Sequence, residues 1–156
     1  MDLDDVATEY EAATNEFLAA VTSITPEQLD SHVEGGWTPR QVIHHVADSE
    51  AQSYARLRRL LAEPEGVVIQ GYDEALWAQS PILGYTQLPV EHSLDVFRSV
   101  RTASLDVLRR LDESDLTRTG VHSESGPYSV QTWIDTYTRH PKEHAAQLLE
   151  GANAGR

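Results

Sequence analysis

Val130-Gln131-Thr132-Trp133-Ile134-Asp135-Thr136-Tyr137-Thr138-Arg139-His140-Pro141-Lys142-Glu143-His144 is the stretch from which the fold and the chemistry can both be read. At about 100° per residue, His140 and His144 fall within about 20° of Trp133, on the face that also carries Val130, Tyr137 and Leu148. Arg139 and Lys142 face away. Two histidines four residues apart stack on one side of a helix, a spacing that lets their imidazoles share one metal ion. The same spacing suits two core-edge histidines satisfied by backbone groups or water. Pro141 removes a backbone donor between them, which predicts a kink, or an early break that would unstack the pair. Ser129 supplies the cap, and the helix is expected to run to about Glu150 and stop at Gly151.

Working outward, three more long amphipathic helices are predicted. Leu3, Val6, Tyr10, Ala13, Phe17, Val21 and Ile24 recur in alternating steps of three and four and define the first. Thr25-Pro26-Glu27-Gln28 caps a short turn that Gly35-Gly36 ends, and Thr38-Pro39-Arg40-Gln41 opens a second helix that runs to about Glu63. A third spans about Val90 to Asp112, with Leu94, Phe97, Leu105 and Leu108 inward. The connection from Pro64 to Pro89, with a helical turn around Asp73 to Gln79, is long enough to cross the bundle or line a site. Val67-Val68-Ile69 is the one β-branched run and is too short to found a sheet. The expected fold is an all-α four-helix bundle with long crossover connections, residues 1–156 forming one domain.

Composition narrows the chemistry. With no cysteine there is no disulfide, thiolate metal site or cysteine nucleophile, so any metal must sit on imidazole and carboxylate. Twelve basic against 25 acidic residues give a net charge of −13, which repels phosphate backbones and argues against nucleic acid as a partner. No stretch is apolar enough to cross a bilayer, and there is no basic head joined to an apolar run; a cytoplasmic protein is expected.

A third ligand for the helical pair must come from another element. On the second helix His45 lies at the margin of the stripe formed by Val42, Val46, Ser49, Ser53, Leu57 and Leu60, whereas His44 is expected to face solvent. His45, His140 and His144 are therefore the candidate ligands of one divalent ion. Ser49 points inward and Glu50 flanks it, which makes them candidates for catalytic groups, while Asp48 points away. Arg101 falls inside the apolar stripe of the third helix. It is a candidate to grip a substrate carboxylate, or else pairs with an internal acid or reaches water along its stem.

Trp37-Thr38-Pro39-Arg40-Gln41-Val42-Ile43-His44-His45-Val46-Ala47-Asp48-Ser49 resembles the DinB-like proteins, and the doubled histidine followed by Ala-Asp-Ser is similar to their YfiT branch. Tyr72-Asp73-Glu74-Ala75-Leu76-Trp77-Ala78, His122-Ser123-Glu124-Ser125-Gly126 and His140-Pro141-Lys142-Glu143-His144 match the branch in order and spacing. The resemblance implies one metal on three histidines, the first being the residue eight positions after Trp37, which is His45. Pro141 departs from the pattern, where relatives carry glycine or another small or polar residue. Three imidazoles leave an open coordination position and suit zinc, nickel or iron. The resemblance implies a small-molecule substrate and a reaction that is either transfer of a low-molecular-weight thiol of the bacillithiol or mycothiol class, the preferred expectation, or metal-dependent hydrolysis. A non-catalytic metal-binding module is the third reading. Relatives of this kind often pair through a helical face, so a homodimer is also an expectation.

Overall fold

The computed structural model describes residues 2–154, so residues 1, 155 and 156 of the expected domain lie outside it. Four long helices form the bundle: α1 (Leu3–Ser23), α2 (Pro39–Ala62), α4 (Glu91–Leu108) and α5 (Val130–Asn153). The short helix α3 (Glu74–Gln79) sits in the crossover between α2 and α4. Helix α1 packs on α4 and α5, and α2 packs on the same two. Sequence neighbours α1 and α2 therefore stand diagonally opposite, an arrangement that needs crossovers. Thr38 and Ser129 cap α2 and α5 in capping boxes with Gln41 and Thr132, as expected from the sequence for α2, with a cap alone expected for α5.

Three local expectations are corrected. Val67–Ile69 (β1) does enter a sheet, pairing in parallel with β2 (Thr119–His122), which pairs antiparallel with β3 (Gly126–Ser129). The partners are about fifty residues away, beyond the reach of local periodicity. Helix α4 ends at Leu108, and a 3-10 turn at Glu113–Thr117 follows. Helix α5 runs through Gly151, because that glycine is needed for packing rather than for stopping the helix. A Cβ there would lie 3.1 Å from the Trp37 carbonyl oxygen and 3.4 Å from Pro39 Cδ.

The core divides in two. One cluster gathers Val6, Tyr10, Leu57, Leu60, Leu105, Leu108, Trp133 and Tyr137 beside the sheet. The other gathers Phe17, Val42, Val46, Leu94, Phe97 and Leu148 near the opposite end. Between them every long helix contributes polar groups: Thr14 from α1, Ser49, Glu50 and Ser53 from α2, Arg101 and Ser104 from α4, and His140 and His144 from α5. Such a polar waist is costly to bury and persists only if its members satisfy one another or hold something.

Candidate metal centre

Part of the waist is an internal network centred on Arg101. Arg101 is 1% exposed and donates to Glu50 Oε1 at 3.0 Å, the Tyr137 carbonyl at 2.7 Å, the Tyr10 carbonyl at 2.9 Å and Thr14 Oγ1 at 2.7 Å. The Tyr137 contact explains how α5 tolerates Pro141. In an unbroken helix residue 141 would donate its N–H to that carbonyl; proline has none, and the guanidinium supplies the missing donor. Glu50, fully buried, balances the charge and also accepts from Ser53 Oγ at 3.0 Å. Burial pushes the Glu50 carboxyl up, and Arg101 opposes that shift. Arg101 and Glu50, candidates for substrate binding and catalysis from the sequence, thus face each other inside the bundle and do not line the cavity beside the histidines. A helical wheel places Arg101 inward and Glu50 only at the flank of the stripe, and it cannot show that they meet.

Another part is the histidine cluster. His45 Nε2 lies 3.1 Å from His144 Nε2, which lies 2.9 Å from His140 Nε2. One ligand atom from each of the three lies within 4.8 Å of the others. Pro141 neither breaks α5 nor separates the pair, whose ring centroids are 4.2 Å apart. Burial lowers His45 to about 4, helped by repulsion from His144. It lowers His140 to about 2, helped by the other two histidines and by Arg101 and Arg139. His144 is lowered by burial too, against an upward pull from Gln147. All three are neutral at pH 7, the form that binds metals.

His144 Nδ1 lies 2.7 Å from Gln147 Oε1; an amide oxygen can only accept, so the proton is on Nδ1 and the Nε2 lone pair points into the cluster. The Nδ1 atoms of His45 and His140 are buried without a partner. Nε2 atoms this close need a positive centre between them, a ring proton donated to the His144 lone pair or a metal ion. Two metal–nitrogen bonds of the usual length, at tetrahedral to octahedral angles, place their nitrogens about 2.9–3.4 Å apart, close to the observed spacings. The donor set and its geometry fit one divalent ion.

Beside the cluster opens a cavity of about 420 Å³ lined by Ser49, Arg56, Tyr72, Glu74, His122 and His140 among others. Ser49, expected to point inward, is buried and lines this cavity. Glu74, whose role the sequence does not reveal, brings Oε2 to 3.7 Å from His45 Nε2. It starts α3, whose N-terminus is fixed by Asp73 accepting from the Leu76 N–H at 3.0 Å. Asp-Glu after Tyr72 is a helix-start signal, but only the crossover's path brings that turn to the histidines. His44, expected in solvent, is 5% exposed. Its ring nitrogens contact Ser93 Oγ at 2.7 Å and the Leu88 carbonyl at 3.0 Å, because the end of the crossover covers that face of α2. Asp48 turns away from the cluster, as expected, and accepts from the Tyr85 hydroxyl. His122 lines the cavity from the β2–β3 hairpin.

Residues 9–148 match the model of the DinB superfamily. A relative from Oceanobacillus iheyensis with the provisional name of metal-dependent hydrolase is 42% identical over 129 residues, 82% of this chain and 73% of that protein. One from Bacillus mycoides with the same provisional name is 35% identical over 147 residues, 94% of this chain and 83% of that protein. YfiT from Bacillus subtilis, described as a probable metal-dependent hydrolase with an unusual four-helix bundle topology, superposes with a TM-score of 0.84 at 29% identity, covering 95% of this chain and 84% of that one. The four-helix bundle protein TT2238 shares the fold, with a TM-score of 0.65 at 24% identity over 94% of this chain and 98% of that one. Bundle topology, the match over most of the chain and the relatives agree: this protein belongs to the DinB superfamily, within its YfiT-like group.

Proposed function

We propose that this protein is a metal-dependent hydrolase of small esters or amides, with His45, His140 and His144 as the metal ligands. The observation that carries this reading is the convergence of three neutral Nε2 atoms beside a cavity of about 420 Å³ that His140 lines. The provisional names of the relatives favour hydrolysis over the thiol transfer preferred from the sequence. A divalent ion bound there supplies Lewis acidity, polarising a carbonyl and acidifying water. Zinc, nickel and iron all suit the three imidazoles.

The chain's own groups divide the remaining work. Gln147 holds the His144 proton on Nδ1 and so orients the ring. Glu74 Oε2, 3.7 Å from His45 Nε2, is the carboxylate oxygen placed to accept a proton at the histidine end of the cavity. Ser49 supplies a hydroxyl on the cavity wall, and Tyr72, whose ring packs on Trp77 with centroids 4.6 Å apart, lines the same cavity.

Elemental analysis of the purified protein and of a His140→Ala, His144→Ala variant tests the ligand set: about one metal per chain is expected in the first and none in the second. An ester panel run with and without added thiol tests the reaction. Turnover that needs no thiol and stops on chelation is expected; turnover only with thiol would replace hydrolysis by transfer.

A further inference from the structure

The cavity has a second polar end that the metal reading does not use. Arg56 lies two helical turns beyond Ser49 on α2, about 10 Å along the axis, and lines the same cavity. Among the described residues its guanidinium makes two hydrogen bonds, to the Tyr137 hydroxyl at 3.0 Å and the Gln70 carbonyl at 2.8 Å. Its Nε is buried without an acceptor, and no carboxylate pairs with it among the described residues. Arg101, in the same bundle, has four acceptors and a buried glutamate.

The groups around Arg56 are also donors. The Tyr72 hydroxyl is buried beside Ser49, and burial keeps it protonated by raising it to about 12. His122 Nδ1 accepts from the Glu124 N–H at 3.1 Å and the Ser125 N–H at 3.3 Å, which puts the ring proton on Nε2. Three carboxylates share the lining: Asp73 caps α3, Glu74 stands by the histidines, and exposed Glu124 lies against Gly71 and His122. Those negative charges disfavour a doubly charged ligand such as phosphate, whereas one guanidinium matches one carboxylate in charge and shape.

The geometry points to a carboxylate-binding subsite at Arg56, so that the cavity takes small substrates bearing one carboxylate in addition to the reacting carbonyl. The position of that carbonyl rests on the hydrolase reading; the anion contact does not. The test is an NMR titration of the whole protein, before and after chelation, with phenylacetate and its neutral isostere phenylacetamide. Phenylacetate is expected to bind about tenfold more tightly than the amide, the worth of a charge-assisted hydrogen bond. The preference should survive chelation, which separates the guanidinium from the metal as its source, and should vanish in Arg56→Gln. Independently of any variant, the Arg56 Nε–H resonance of the unmodified protein should move with phenylacetate and stay with phenylacetamide. Equal binding of acid and amide, binding of neither, a preference lost on chelation or kept in a folded Arg56→Gln protein, or an unmoved Nε–H resonance would each overturn the subsite. Absence of ester turnover alongside an intact acid preference would instead overturn the hydrolase reading alone.

Discussion

Removing Arg101 and Glu50 together, as Arg101→Met with Glu50→Leu, isolates the carbonyl that Pro141 leaves without a helical donor. Arg101→Met alone should cost about 3–5 kcal/mol, because it strands a buried carboxylate. That is a large part of the roughly 5–15 kcal/mol that holds a typical domain together. Replacing both charges by apolar groups of similar volume avoids that penalty and keeps the protein foldable. What remains is the Tyr137 carbonyl, which now receives a hydrogen bond from Arg101 at 2.7 Å and would be left buried and unpaired, at about 1–3 kcal/mol. Pro141→Ala restores an N–H at the position that donates to this carbonyl. Its gain should therefore be larger by about 1–3 kcal/mol in the apolar-pair background than in the unmodified protein. The helix-propensity advantage of alanine is common to both backgrounds and cancels. Urea unfolding of the four proteins, with midpoints converted through their slopes, measures the coupling. Additivity to within about 0.5 kcal/mol would refute the idea that Arg101 stands in for the proline's missing donor.

Other consequences follow from the histidine cluster and its surroundings. Glu74→Gln should lower kcat about 10²–10⁴-fold while metal content stays at the wild-type level; a parallel loss of metal would make Glu74 a ligand instead. Gln147→Leu removes the acceptor that fixes the His144 tautomer, so competition with a chelator should show metal affinity reduced about 10–100-fold. In metal-free protein, the folded-state values of His45 and His140 are lowered from 6.5 to about 4 and about 2. Their stabilisation is complete above pH 6.5 and declines as pH falls, since the unfolded chain then binds protons that the folded one refuses. For His45 alone about 3 kcal/mol should be gone by about pH 4. Thermal melts of the chelated protein from pH 7.5 downward check the sign, and a melting temperature that rises through this window would refute it.

The capping chemistry of Thr38-Pro39-Arg40-Gln41, the 3.6-residue periodicities and the four-residue separation of His140 and His144 are local properties. They were readable from the chain alone: the four helices, the inward face of each and two members of the cluster. The resemblance to the YfiT branch singled out His45 over His44, in agreement with the helical wheel. What periodicity could not reveal depends on which faces meet across the bundle. His44 is covered because the crossover ends over it, and Arg101 is taken up by Glu50 and by the carbonyl that Pro141 frees. Glu74 and Arg56 become parts of the cavity only through the paths of the crossover and the hairpin. A helix face is set by neighbours a few residues away, whereas the surroundings of the three histidines are set by contacts between residues far apart in the chain. For this protein the sequence determined the bundle, the inward helix faces and the histidines. Tertiary packing decided which buried charges satisfy each other and which are left facing the cavity.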